Sequence, residues 1–201
     1  MDDSARVDGR TARGQRTRSA VVDALLALQE EGDLEPTAQR VAARAGVALR
    51  TVFGHFSDME TLWAQAGEQE LAKIAALADS PSGDLPLEER VERFCASRAR
   101  VLEAVLPVLR AARLREHTSA ALRRNREIFA AAGDAEVDRV FATELEPLDE
   151  QERAVVRSAF HVVAGGQAWE LLRCQRGLDV DEAGDLMRRT VWRIVPTSGP
   201  L

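Results

Sequence analysis

Between Thr37 and Phe56 the chain reads TAQRVAARAGVALRTVFGHF, and no other stretch limits the possible folds as much. Val41, Ala42 and Ala45 recur at helical spacing before Gly46, and Val52 and Phe56 recur at helical spacing after it. That pattern predicts two short helices, one reaching Ala45 and one over 49–55, joined at a residue that tolerates tight backbone geometry. Thr37 suits the N-cap of the first. Two helices joined by a glycine-containing turn of three or four residues form a helix-turn-helix. The small side chains of the first helix let it brace the second. Val52 and Phe56, with Phe53 beside them, give the second helix a buried stripe, and residues 50, 51, 54 and 55 then share the opposite face.

That face carries Arg50, Thr51, Gly54 and His55. An arginine can pair bidentately with guanine O6 and N7. Thr51 suits a phosphate or a thymine methyl, and His55 suits a phosphate. Gly54 has no side chain to hold the helix away from a partner. A plain helical hairpin with a solvated arginine has the same spacing, so spacing alone leaves both readings open.

Ala, Leu, Arg and Glu dominate elsewhere, β-branched and aromatic residues are few, and the fold class expected is all-α. A leading helix is predicted over 17–31 and a fourth from a Ser57–Glu60 capping box to Ala78. The break at 80–84 is followed by helices near 86–104, 107–115, 118–132, 135–144, 149–176 and 181–195, punctuated by Gly133, Pro147 and Gly177. The organisation expected is a flexible Arg-rich arm (1–16), a helix-turn-helix domain (17–62) and a helical domain (63–201).

The net charge is −6, yet the chain up to Phe56 is neutral, with eight Arg against eight acidic residues. Arg6, Arg10, Arg13, Arg16 and Arg18 crowd ahead of the first apolar run, which suits nucleic-acid contact by one end of an acidic body. That arm either reaches phosphates or a neighbouring minor groove, or is a solvated tail. Cys95 and Cys174 have no metal-ligand spacing and are expected as buried thiols, with no metal and no cofactor. No 18-residue apolar window and no apolar leader is present, so a soluble cytoplasmic protein without membrane contact is expected. Three His, two scattered Cys and no Tyr supply no hydrolase, zincin or phosphate-loop motif. An enzyme is not expected.

The segment from Thr17 to Leu62 resembles the N-terminal domain of the TetR family of bacterial transcriptional repressors. Ala42, Ala45, Gly46, Val47, Thr51, Val52, His55 and Phe56 match its core signature, after the leading helix TRSAVVDALLAL and before SDMETL. The resemblance implies double-stranded DNA as a partner, with Thr37 on a phosphate, Gln39 at a base edge, and Arg50, Thr51, Phe53, Gly54 and His55 at the reading helix. The N-terminus near Asp58 would offer N–H groups to a further phosphate, with Glu60 folded back on the cap. Three positions depart from the family. Ala48 replaces a capping Ser or Thr, Phe53 replaces a Tyr whose hydroxyl grips phosphate, and Met59 replaces a backbone-clamping Lys. These departures lighten the hold on the backbone.

The resemblance also implies a homodimer and a small-molecule effector for residues 63–201. The helix over 149–176 is too apolar for a single buried stripe. With the last helix, it would supply a four-helix interface, with Trp169, Leu172, Leu186 and Trp192 as candidates; Trp169 and Trp192 fit an intramolecular role equally well. Phe94, Arg98, Val101, Asn125, Phe129, His161 and Gln167 mix apolar bulk with polar groups as ligand sites do, although each suits plain packing as well. Gly165-Gly166 either permits close helix approach or opens room beside a ligand. The alternative for the whole chain is a helical protein-interaction module that retains the hairpin as scaffold and binds no operator.

Overall fold

The computed structural model describes residues 4–196, with side chains from Thr11 onward. Among the described residues every regular element is a helix. In chain order these are α1 (Ser4–Glu30), α2 (Ala38–Arg44), α3 (Leu49–His55), α4 (Met59–Leu77), α5 (Leu87–Arg115), α6 (Ala120–Val140), α7 (Ala142–Leu145), α8 (Glu150–Val163), α9 (Gly166–Glu170) and α10 (Val180–Ile194). A π-helical turn, Leu171–Gln175, follows α9. The chain divides into two compact units. The first takes the chain up to Glu70 together with Pro107–Asn125, and the second takes Leu71–Leu106 and the chain from Arg126. The segment 107–125, expected in the C-terminal domain, thus clusters with the helix-turn-helix.

In the first unit, Val21, Leu25, Val41, Val52, Phe56 and Leu62 are essentially inaccessible, and Ala111 and Leu122 join the same core. Two of its turns are closed by left-handed glycines. At Gly46 (φ +67°) the Gly46 N–H donates to the Ala43 carbonyl and the Val47 N–H to that of Ala42, which satisfies the last carbonyls of α2. Gly32 (φ +93°) ends α1 by the same pattern.

The second unit is built around an aromatic trio. The Phe94 ring meets Phe141 at 5.4 Å and Phe160 at 5.7 Å edge-on, and Phe141 lies 4.9 Å from Phe160. Buried ion pairs brace it. Arg90 holds Glu144 through two 2.7 Å hydrogen bonds and also donates to the carbonyls of Leu85 and Val140. Asp149 with Glu152, and Asp179 with Glu182, form reciprocal capping boxes that start α8 and α10.

Several boundaries differ from the sequence expectation. α1 begins at Ser4 rather than near Thr17, so the Arg-rich segment is helical from that residue on. Arg, Ala and Gln favour helix, and its two glycines cost about 1 kcal/mol each without breaking it. α5 runs unbroken through Pro107. The proline removes one backbone hydrogen bond, but buried Leu102, Val105 and Ala111 hold the helix on both sides. α6 likewise continues through Gly133, where a Cβ would sit 3.8 Å from the Arg98 guanidinium. The expected helix 149–176 is instead broken at Gly165, an N-cap with extended backbone (φ −94°, ψ 166°). A Cβ there would lie 2.2 Å from the His161 carbonyl oxygen, so the close approach of backbone at this break admits only a glycine. Arg98 donates to the carbonyl of Ala164 at that break, at 3.0 and 3.3 Å.

Candidate nucleic-acid interface

α3 is seven residues long and is held from one side. Val52 and Phe56 are 1% exposed, so the opposite face of the helix points away from the unit. Arg50, Phe53 and Gly54 are exposed there, and Thr51 and His55 are half-buried at its edges. Phe53, expected beside the buried stripe, is 47% exposed and sits on the open side. Nothing lies within 4 Å of where a Cβ on Gly54 would be. Among the described residues Arg50 makes no ion pair. By contrast, Arg40 is tied to Asp33 at 3.0 Å and Arg44 to Glu31 at 2.6 Å. Arg50 is therefore the free guanidinium on the helix-turn-helix.

The N-terminus of α3 matches the reading of Ala48: it is the N-cap and makes no side-chain capping bond. Thr37 caps α2 by accepting the Arg40 N–H at 3.3 Å, which leaves its hydroxyl proton free to donate. Gln39 is exposed one residue inside that helix.

The start of α4 is not the cap expected. The Ser57–Glu60 capping box does not form. Asp58 accepts the Thr61 N–H at 2.7 Å and the Thr61 hydroxyl at 2.8 Å, and these bonds hold its carboxyl below the ordinary aspartate value. Glu60 instead accepts from the Ser119 hydroxyl at 2.6 Å. An ionised Asp58 at this helix N-terminus repels a phosphate, so α4 lacks the anion seat that the resemblance implied.

Arg18 is the residue that sequence reasoning misplaced. Grouped with the basic arm, it is in fact half-buried and structural. Its guanidinium donates to the His55 carbonyl at 2.8 Å and to Gln65 Oε1 at 2.9 Å, and its Cζ lies 4.4 Å from the Phe56 ring centroid. One side chain of α1 thus fixes the last carbonyl of α3 and ties it to α4. Only its helical register with Val21, Val22 and Leu25 hinted at this inward orientation.

The residues expected to line an effector pocket are not brought together. Phe94 is in the aromatic trio and Val101 is buried core. Arg98 is consumed by Ala164, by Glu136 at 3.6 Å and by the Phe129 ring at 5.5 Å. Asn125 belongs to the first unit, and His161 and Gln167 point outward. The break at Gly165 separates these last two, which lie on α8 and α9. What the second unit does contain is an open groove of about 910 Å3 between α5 and α10. Glu92, Cys95, Arg100, Glu103, Asp181, Asp185 and Arg188 line it, none of them in the expected set. Burial pushes the Cys95 thiol up to about 12, while Cys174, also expected to be buried, is exposed.

The interface candidates separate in the same way. Trp169 is wholly buried inside the second unit, its indole N–H donating to Glu103, which in turn chelates Arg173. It is core and not an outer contact. Leu186 is exposed, and Leu172 and Trp192 are half-buried. No described helix is long and apolar enough to cross a membrane, and no cluster of three metal-ligating side chains occurs among the described residues.

An all-helical chain with a braced helix-turn-helix head has the fold of TetR-family transcriptional regulators. Solved structures similar to it include a transcriptional regulator from Rhodococcus sp. Rha1, with TM-score 0.68 at 18% identity over 90% of this chain and 95% of that one. A TetR-family regulator from Mesorhizobium loti MAFF303099 gives TM-score 0.68 at 17% identity, covering 90% and 96%. The multidrug binding protein EbrR, complexed with imidazole, gives 0.65 at 18%, covering 94% and 92%. No family model matches the sequence, and no curated protein matches it either.

Proposed function

We propose that the chain is a sequence-specific DNA-binding regulator of transcription, acting as a homodimeric repressor of a pseudo-palindromic operator and released by a small-molecule effector. The observation that carries this reading is the α3 face, where unpaired Arg50 and bare Gly54 stand opposite buried Val52 and Phe56. A short helix so held can enter the major groove. Arg50 reads guanine, Thr51 and His55 flank it, and Thr37 and Gln39 contact the duplex from α2. Phe53 offers apolar surface without a hydroxyl. With no Tyr, no Lys at Met59 and Asp58 at the α4 terminus, the backbone grip is light and recognition leans on base contacts.

Dimerisation is supported by exposed Val155 and Val162, seven residues apart on one face of α8, and by exposed Leu186 on α10, which packs against α8. The groove between α5 and α10 offers an effector one open space in the second unit. A coupling of about 1–3 kcal/mol would release the operator several-fold to about 100-fold.

The test is selection of bound duplexes from a random pool, followed by Arg50→Ala on the selected operator. Loss of discrimination at one base position per half-site, about 1–3 kcal/mol, supports the reading. Uniform weakening makes Arg50 a phosphate contact, and no selected sequence at all returns the chain to a protein-interaction module.

A further inference from the structure

The chain has six phenylalanines, and five of them are engaged by another aromatic ring or by a guanidinium. Phe94, Phe141 and Phe160 pack on one another, Phe56 lies under the Arg18 guanidinium, and Phe129 lies under that of Arg98. Phe53 is the exception. Among the described residues its ring meets no other ring and no guanidinium, and it is 47% exposed. It follows Arg50 by three residues on α3, so the two side chains are neighbours on one flank of the helix, about 4.5 Å apart along its axis. Thr51 is half-buried on the other flank. Between the flanks lies Gly54, with nothing within 4 Å of where its Cβ would be. The fold therefore leaves the largest apolar side chain of the reading face uncovered, directly beside the guanidinium.

We propose that Phe53 is a specificity residue, packing its ring on the 5-methyl group of a thymine beside the guanine read by Arg50. The inference rests on α3 being the base-reading helix. Among base edges in the major groove the thymine methyl is the apolar group, and the others there are hydrogen-bond donors and acceptors. A phenyl ring bonds to none of those, and without a hydroxyl it cannot hold a phosphate oxygen either. Pressed on the amino group of cytosine or adenine, it would strip away water and return no bond, so the ring also disfavours those bases. The bare backbone at Gly54 lets the helix come close enough for the ring to reach the groove floor. The spacing of Phe53 from Arg50 along α3 is close to one base-pair step of about 3.4 Å, which places the methyl on a base pair neighbouring the guanine. At this position the chain thus exchanges a contact that adds affinity for one that reads sequence.

The full-length protein is titrated with the selected operator duplex, and with duplexes in which each thymine of the half-site is replaced in turn by deoxyuridine. That replacement deletes the 5-methyl group and keeps the base pairing. Wild type should bind about fourfold more weakly when the thymine next to the Arg50-read guanine is replaced, the worth of one buried methyl. The loss should be the same at low and high salt, because a methyl contact releases no counterions. Phe53→Ala should bind the thymine and deoxyuridine duplexes equally while keeping the guanine preference. A Phe53→Ala protein that still responds to the missing methyl overturns the proposal, since Thr51 or the shape of the duplex would then be reading it. So does wild type that is indifferent to every deoxyuridine, or a selected half-site with no thymine beside the guanine. Wild type that selects no duplex sinks the reading of α3 itself, a different result from sequence-specific binding that ignores the methyl.

Discussion

Arg18 donates to the main-chain carbonyl of His55, 37 residues away in sequence, while its guanidinium lies over the Phe56 ring. This bond closes the C-terminal end of α3, where the helix has carbonyls without partners. It also sets the rotation of the helix, because the Gln65 bond fixes the same guanidinium to α4.

Arg18→Ala should therefore lower stability by about 1.5–3 kcal/mol, the usual worth of charged hydrogen bonds, as read by denaturant unfolding. Operator affinity should fall while the preferred sequence stays the same, because Arg18 touches no base. Arg18→Lys should recover only part of both, since an ammonium cannot span two acceptors as a planar fork does. A relaxed base preference in either variant would place Arg18 at the DNA instead.

Two glycines of the hairpin should respond in opposite senses. Gly46→Ala forces a side chain into left-handed backbone and should destabilise by about 1–2 kcal/mol. Gly54→Ala meets open space inside a helix and should stabilise by up to about 1 kcal/mol. If α3 enters the groove, the second variant should nonetheless bind operator more weakly. A more stable protein with undiminished affinity would show that nothing approaches that face closely.

Acid should weaken the second unit through the Arg90–Glu144 pair. The Arg90 hydrogen bonds hold the Glu144 carboxyl below its ordinary value of 4.5. Its stabilisation is thus fully present above that value and is lost as pH falls through the depressed one. Glu144→Gln should cost about 3 kcal/mol at neutral pH, because it strands a buried arginine. The difference from wild type should shrink below about pH 4. Urea unfolding of both proteins at pH 7 and pH 3.5 measures this, and a gap that does not narrow excludes Glu144 as the titrating group.

Local regularities carried much of this structure into the sequence. Helical spacing of apolar residues gave the all-α class, and the pattern around Gly46 gave the hairpin, because a left-handed turn and a two-residue stripe are set by neighbours a few positions apart. The same stripe fixed which side of α3 Arg50 and Gly54 occupy. Breaks were less legible. Pro107 looks like a stop but is overridden by burial on either side, and α6 runs on through Gly133, whereas the helix does break at Gly165, where the backbone turns extended and the His161 carbonyl lies where a Cβ would be.

Partnerships across long separations were decided by the tertiary structure alone. Arg18 reads as one of five solvated arginines until α3 and α4 close around it. Glu60 leaves its cap for Ser119, Trp169 turns inward to Glu103, and Arg98 is spent on the carbonyl exposed at Ala164. In each case the sequence supplied a polar group able to pair with many others. Burial chose the partner, since a polar atom removed from water must be satisfied by whatever the fold brings within about 3 Å.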